Sequence, residues 1–301
     1  MREVLCKSLV DQAADPKFVF LTGDLGFGAL EALQYAAGTR FINAGVAEQN
    51  MIGVAAGLAH SGFRPWAYSI APFIYARPYE QVRNDVCLHN LGVRLIGNGG
   101  GYGYGVMGAT HHALEDYGAL LCLQNMHVAA PAFDADVCAL IPKLAAFDRP
   151  VYLRLGRDEK PEGYEAPPYA PWRRLTEGGG PTILAVGTLA GSYIAAILEI
   201  EESDRPNLWV VTELPLNPSS IPDEFWRDLD RTGQMIVAEE HVAHGSVGQS
   251  LGHLLLTIGR PVSRFSHLHA QGYVSGRYGS QKFHRKESGL DPVSLVQLLA
   301  A

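Results

Sequence analysis

The 301-residue chain has no uninterrupted apolar run near the ~18 residues that cross a bilayer, so no membrane-spanning helix is expected. Cysteine is scarce: Cys6, Cys87, Cys122 and Cys138 are scattered without paired spacing. That argues against a disulfide framework and a zinc ribbon, and predicts buried free thiols in a reducing, cytoplasmic setting. Eleven histidines are present, yet none stands in a His-Glu-x-x-His arrangement, so no metal site on this chain is expected. Basic residues are outnumbered, 24 against 31 acidic, for a net charge of −7. That balance argues against a nucleic-acid or anionic-membrane surface as the main function. The first ten residues carry charges inside an apolar pattern and read as an amphipathic helix, without the apolar stretch of a signal peptide.

What is there suits a globular protein with ample core: 47% hydrophobic and 18% charged residues, over a length too great for one ordinary core. Short apolar runs alternate with helical segments. Phe18–Thr22, Arg64–Ile70, Val93–Gly97, Asn125–Pro131 and Pro150–Arg157 read as buried strands in the first half. Pro181–Gly187, Asn207–Thr212 and Gln234–His241 do so in the second, with helices expected near Tyr193–Glu202, over Ser246–Ile258 and from Asp291. The alternation predicts an α/β protein of two parallel-sheet, three-layer domains, spanning 1–158 and 181–301. The intervening 159–180, rich in proline, glycine and charge, reads as a linker.

One stretch organises the rest. Arg40-Phe-Ile-Asn-Ala-Gly-Val-Ala-Glu-Gln-Asn-Met51 runs as strand, tight turn at Gly45 and helix, the helix continuing through Gly53, Ala55, Ala56, Gly57 and Ala59. Glu48 stands at the helix start among residues that look buried. Either it simply suits the helix dipole, or it is held for chemistry, because a carboxylate in apolar surroundings must be exposed, paired or used.

Gly45-Val-Ala-Glu-Gln-Asn-Met51 resembles the Gly-Ile-Ala-Glu-Gln-Asn-Met segment of the transketolase family, in its pyrimidine-binding domain. The resemblance continues over nearly the whole chain. It implies that the Glu48 carboxyl bonds N1′ of the aminopyrimidine of thiamine diphosphate, a contact that promotes loss of the thiazolium C2 proton. Asp24-Leu25 matches the pair that opens the cofactor pocket, or is a plain turn aspartate. Phe73-Ile-Tyr-Ala-Arg77-Pro-Tyr-Glu-Gln-Val-Arg83 resembles Phe-x-x-x-Arg-Ala-x-Glu-Gln-Ile-Arg, which implies that Phe73 stacks on the pyrimidine and Arg77 adjoins it. Glu80 and Arg83 read as interface or helix-surface residues.

Asn98-Gly-Gly-Gly-Tyr-Gly-Tyr-Gly-Val-Met-Gly108 has six glycines in eleven residues but lacks the Gly-Lys-Ser/Thr end of a nucleotide loop. It resembles the family loop over the substrate. Thr110-His111-His112 then matches Thr-His-Gln, which implies that His111 faces the substrate. Two departures stand out: Met107 replaces an aspartate and Gly99 a histidine of phosphosugar transketolases. Losing hydrogen-bonding groups next to Asn98 implies an atypical substrate, less hydroxylated, branched, or bound with help from a partner. Arg157 matches an arginine that grips substrate phosphate, its planar fork suiting such an anion, or it is a surface ion pair. Glu239-Glu-His-Val-Ala-His-Gly245 resembles a C-terminal element, and the basic tail with Arg277, Lys282, Arg285 and Lys286 reads as a dimer or partner surface or a solvated loop.

No Gly-Asp-Gly…Asn motif for diphosphate and Mg²⁺ is found. The resemblance thus implies the small subunit of a split transketolase, with Mg²⁺ held by a separate diphosphate-binding subunit and self-association to an α2β2 assembly. The reaction implied is transfer of a two-carbon ketol unit from a ketose to an aldehyde. Two other readings are the β subunit of a 2-oxoacid dehydrogenase or related decarboxylase, and a non-catalytic scaffold. The Ala47-Glu-Gln-Asn-Met51 and Thr110-His111 matches favour transketolase.

Overall fold

In the computed structural model, which describes residues 1–300, two sheets carry the chain. The first builds on β1 (Phe18–Thr22), β2 (Phe41–Asn43), β3 (Arg64–Ile70), β4 (Arg94–Asn98), β5 (His127–Ala129) and β6 (Val151–Leu155). These pair in parallel in the order β5-β6-β4-β3-β1-β2. The second contains β7 (Trp172–Arg174), β8 (Thr182–Val186), β9 (Asn207–Val211), β11 (Gln234–Ala238) and β12 (Arg264–Leu268), ordered β12-β11-β8-β9-β7. Between β9 and β11 the two-residue β10 (Glu213–Leu214) crosses back and pairs antiparallel with β5, so the sheets are tied by the chain itself.

The period-two alternation of each strand decides which face it feeds. In β1, Phe18 and Phe20 join an apolar cluster with Leu5, Leu9, Leu33, Val137 and Leu140. These come from α1 (Arg2–Gln12), α2 (Glu31–Ala37) and α7 (Asp134–Ala145). Val19 and Leu21 face the other way, into a cluster with Met51, Ile52, Ile74 and Val82. That side is covered by α3 (Glu48–His60), α4 (Ala71–Tyr75), α5 (Tyr79–Gln81) with the π-helical turn Val82–Cys87, and α6 (Asp116–Leu121). The same cluster runs on into Leu184, Val186, Val211 and Met235, joining both sheets in one apolar layer. Residues Ile183 and Ala185 instead pack under α8 (Leu189–Leu198) and α12 (Pro292–Leu299). The second unit is completed by α9 (Asp223–Thr232), α10 (Val247–Thr257) and α11 (Gln281–Glu287).

Several expectations shift. The stretch 159–180 is not all linker, because Trp172–Arg174 forms β7, antiparallel to β9. Its alternating signal was too short to separate from the surrounding Pro- and Gly-rich chain. Only Cys6 and Cys87 are buried; Cys122 and Cys138 are exposed. The basic tail is not uniformly a partner surface or a solvated loop: Arg285 is buried and pairs with Glu159 and Glu240, while Arg277, Lys282 and Lys286 remain exposed. No described helix is long and apolar enough to cross a membrane.

Arg94 shows how a charge is accommodated in the first core. It is buried at the foot of β4, donates from Nε to Leu144 O at 3.0 Å and from Nη2 to Ala145 O at 2.9 Å, and so caps the carboxyl end of α7. Burial draws its guanidinium down to about 10.

The tie at β10 depends on Glu213. Its Oε1 accepts from Lys143 Nζ at 2.5 Å and from the Tyr169 hydroxyl at 2.6 Å, while His127 Nε2 lies 3.2 Å from Oε2, off the hydrogen-bond axis. Burial pushes this carboxyl up, but its hydrogen bonds outweigh that and hold it at about 2, below the ordinary 4.5. A depressed carboxylate contributes stability that is complete above the unfolded-state value and lost as pH falls toward the folded one. Relative to Glu213→Gln, the wild type should be more stable by roughly 3 kcal/mol above pH 5, the gap closing between pH 4.5 and 2. Urea denaturation of both proteins across that range checks this; a gap independent of pH would refute it.

Candidate active site

The carboxyl ends of β1, β2, β3 and β4 point to one edge of the first sheet, the place where parallel sheets present their loops to ligands. After β1 the chain turns through Gly23-Asp24-Leu25. Asp24 adopts a left-handed φ of 58°, which aspartate tolerates better than most residues. Its Oδ1 accepts from Asn43 Nδ2 at 2.8 Å, and Asn43 Oδ1 in turn accepts from Gly45 N–H at 2.9 Å. This pair of bonds fixes the turn that feeds α3.

Glu48 is the first residue of α3 and is 5% exposed. Its Oε1 accepts from Arg77 Nη1 at 2.7 Å, and among the described residues its Oε2 takes no bond. Close by, Ser69 Oγ is buried without a partner, and a methyl built on Gly23 would stand 3.5 Å from it and 3.9 Å from Glu48 Cγ. The carboxyl faces a cavity of about 430 Å³ lined by Val46, Ala47, Glu48, Gln49, Asn50 and Arg77.

From Glu48 a row of contacts crosses the sheet edge. The Arg77 guanidinium lies 3.7 Å over the Phe73 ring, a cation on an aromatic face. Phe73 meets His111 edge-on, 5.2 Å between centroids, and His111 lies 5.8 Å from Tyr104. The His111 Nδ1 is 2.9 Å from Thr110 Oγ1, and the Tyr104 hydroxyl accepts from Asn98 Nδ2 at 2.8 Å. Burial pushes the Tyr104 phenol up, partly offset by that Asn98 bond. The next histidine, His112, is enclosed instead: Nε2 lies 2.8 Å from Gly105 O and Nδ1 3.0 Å from the Tyr273 hydroxyl, and burial pulls its pKa down.

Glu48, Arg77, Phe73, His111, Tyr104 and Asn98 thus stand in one row of contacts. Asp24 joins them through Asn43 and the Gly45 turn. Leu25 lies one step aside, lining a small cavity of about 90 Å³ with Thr22, Phe41 and Asn43. Met107 is 54% exposed, in the single turn Gly105–Met107. Arg157 is exposed beyond β6. Glu80 and Arg83 are exposed and do not pair with each other. No described group of three or more His, Cys, Asp or Glu side chains is placed to hold a metal ion.

Sequence reasoning missed Tyr104, Asn43 and Ser69. Tyr104 explains the absence of a side chain at Gly99: a methyl there would lie 2.3 Å from the Tyr104 ring, at a φ of 75°. The aromatic fills the room that another side chain would take. The signal was the Gly-Tyr-Gly-Tyr-Gly spacing, which places bulk inside a glycine loop.

The profile described as transketolase, pyrimidine binding domain, matches residues 8–162, just over half of the chain. The chain belongs to the transketolase family. It is 31% identical over 266 residues to a subunit of the apulose-4-phosphate transketolase of Actinobacillus succinogenes, covering 86% of this chain and 83% of that one. To a 6-deoxy-6-sulfo-D-fructose transketolase subunit of Clostridium sp. strain MSTE9 it is 30% identical over 265 residues, covering 85% and 80%. A solved split-gene transketolase, described as an inactive β4 tetramer, superposes with a TM-score of 0.81 at 29% identity, covering 99% of this chain and 96% of that one. Within the transketolase family, therefore, the chain has the extent of a split subunit of a thiamine-dependent transferase.

Because the Tyr104 ring occupies the space at position 99 and the backbone there is left-handed, Gly99→Ala should destabilise this transketolase subunit by about 2 kcal/mol. Chemical denaturation reads the effect, and an unchanged midpoint would show that the loop relaxes freely.

Proposed function

We propose that this chain is the pyrimidine-binding subunit of a heteromeric transketolase that moves a two-carbon ketol unit from a ketose donor to an aldehyde acceptor. The observation that carries the reading is Glu48: a buried carboxyl with one oxygen free, opening on a cavity beside the Phe73 face. When bound, thiamine diphosphate supplies the carbanion chemistry at its thiazolium C2.

The residues present fit such a group. Glu48 offers a carboxyl oxygen to a ring nitrogen and can hold the shared proton there, and Phe73 offers a flat apolar face. Arg77 engages both, bonded to Glu48 and lying on Phe73. It is 44% exposed, so it is free to swing outward and border the ring. His111, edge-on to Phe73 and linked to Thr110, is placed to donate to or accept from a substrate oxygen. Asn98 and Tyr104 set the polarity of the loop beside it, Met107 supplies an apolar contact, and Asp24 with Leu25 shapes the cofactor entrance.

A separate subunit holds the diphosphate and Mg²⁺ in this proposal, since no described side-chain cluster on this chain suits a divalent ion. The chain self-associates, giving an α2β2 assembly. The division into a pyrimidine-binding part, 1–158, and a C-terminal part, 181–301, belongs to the same reading. So does a cytoplasmic location, supported by four unbridged thiols. Relatives named for a phosphate- and a sulfo-bearing sugar support an atypical ketose with an anionic end, for which Arg157 is the candidate fork.

In the reconstituted pair, Glu48→Gln should lower turnover by about a hundredfold or more, the scale of a lost positioned proton-transfer group. A scaffold would keep full activity. Product analysis of the same pair should show ketol exchange without CO₂ release. Thiamine diphosphate should bind weakly to this chain alone and tightly with its partner; tight Mg²⁺-dependent binding by the isolated chain would refute the split-site reading.

A further inference from the structure

The glycine-rich segment that carries Tyr104 and leads to His111 is held from the second unit. Glycine loses more backbone freedom on ordering than any other residue, so a loop with six of them keeps one shape only where outside groups fix it. Its own unit supplies the reciprocal Gly101–Ala113 backbone pair at 2.9 Å and the His112 contact to Gly105 O. That unit also holds the loop's start, where the Gly99 and Gly100 N–H groups donate to Leu155 O at 3.0 and 2.9 Å and Asn98 bonds the Tyr104 hydroxyl. Its middle, at Tyr102, is anchored from the second unit. Tyr102 N–H donates to Glu240 Oε1 at 2.8 Å, its hydroxyl donates to Gly272 O at 2.8 Å, and its ring stacks on His284 with centroids 4.9 Å apart.

Glu240 itself is 4% exposed and fully engaged. Arg285 donates to its Oε2 from Nε and Nη2 at 3.1 and 2.9 Å, and Gln281 Nε2 lies 3.1 Å from both oxygens. Arg285 also bonds Glu159 at 2.6 Å. From the first unit, Arg154 Nη2 reaches the Glu240 carbonyl at 2.9 Å while its Nε pairs with Asp116 at 2.7 Å. The approach leaves no slack: a methyl on Gly101 would lie 2.7 Å from Glu240 Cγ.

We infer that Glu240, oriented by Arg285, is a positioning residue for substrate binding, which acts by fixing the glycine-rich loop through Tyr102 N–H. The second unit, which among the described residues supplies no side chain to the row from Glu48 to Tyr104, thereby helps set where Tyr104 and His111 stand. The inference rests on the ketol-transfer reading for its kinetic consequence, but its mechanical half does not.

Two measurements separate those halves. Hydrogen exchange on the full chain should show amides of 99–105 exchanging about tenfold faster in Glu240→Gln, with β8 unchanged, as expected when one anchor of a local unit is cut. In the pair reconstituted with the diphosphate-binding subunit, with β-hydroxypyruvate as donor and glycolaldehyde as acceptor, the donor KM should rise about tenfold, the order of a lost charge-assisted bond. Thiamine diphosphate affinity should stay within about twofold, because the groups at Glu48 are untouched. Arg285→Met should reproduce both effects from the other side of the clasp. Lys143→Met, which cuts the Glu213 tie between the same units without touching the loop, should produce neither. Unchanged loop exchange in Glu240→Gln overturns the inference, as does faster exchange with an unchanged KM, or a KM rise shared by Lys143→Met. A wild-type pair without ketol transfer removes the functional reading and the KM claim with it, and the exchange result alone then judges the anchoring.

Discussion

The structure depends on a set of buried charges at the seam between its two sheets. Arg154 with Asp116 on one side and Arg285 with Glu240 on the other are each under a tenth exposed. Taking such ions out of water costs on the order of several kcal/mol each, and only mutual pairing with good geometry offsets that. The seam meets the condition except at Asp116 Oδ1, which is buried without a partner. Arg154 also bonds the carbonyls of Ala113 and Glu240, the Tyr117 hydroxyl donates to Glu239, and Glu239 accepts the Val247 and Gly248 N–H groups at the start of α10. Burial raises the Glu239 carboxyl, but its bonds to His267, Tyr117 and Gly248 win and hold it below its usual range. Apolar side chains would seal such a seam without fixing its register. Directional pairs fix it, and the loop over the site inherits that register.

His241 belongs to the same seam and shows why it is neutral where it can be. Gly118 N–H donates to Nε2 at 3.1 Å, and Nδ1 lies 2.7 Å from Val242 O, so the ring is placed as a single neutral tautomer. Burial lowers its pKa, which agrees with that assignment. The site edge is built on the opposite logic. Glu48 is paired with a half-exposed arginine, and the same Arg77 covers the Phe73 face. A tight seam and a loosely capped edge divide the labour: one holds shape, the other leaves room for a ligand.

Much of the first half was legible because its signals are local. Phe18–Thr22, Arg64–Ile70 and Val151–Leu155 are short apolar runs, and each is a buried parallel strand within a residue or two of its expected limits. Glu48, Phe73, Arg77 and His111 were candidates through short motifs that resemble a family pattern, and the fold brings these four to one sheet edge. Trp172–Arg174 was not, since three residues at a sheet edge carry too little pattern to stand out from a proline-rich stretch. Arg285 was not either. A basic tail reads as surface until the fold supplies Glu159 and Glu240, 126 and 45 residues away, as its partners.

The sequence by itself determined the alternation of strand and helix, the apolar periodicity that sends alternate side chains to opposite faces, and the identity of the acid, aromatic and imidazole that meet at this edge. These depend on neighbours a few positions apart. Only the tertiary structure decided that Tyr104 fills the space beside Gly99, that Arg77 bridges Glu48 and Phe73, and that Glu240 of the second unit anchors the glycine-rich loop at Tyr102. Those arrangements join residues far apart in the chain, and the desolvation that makes each bond matter exists only once the sheets have closed on one another.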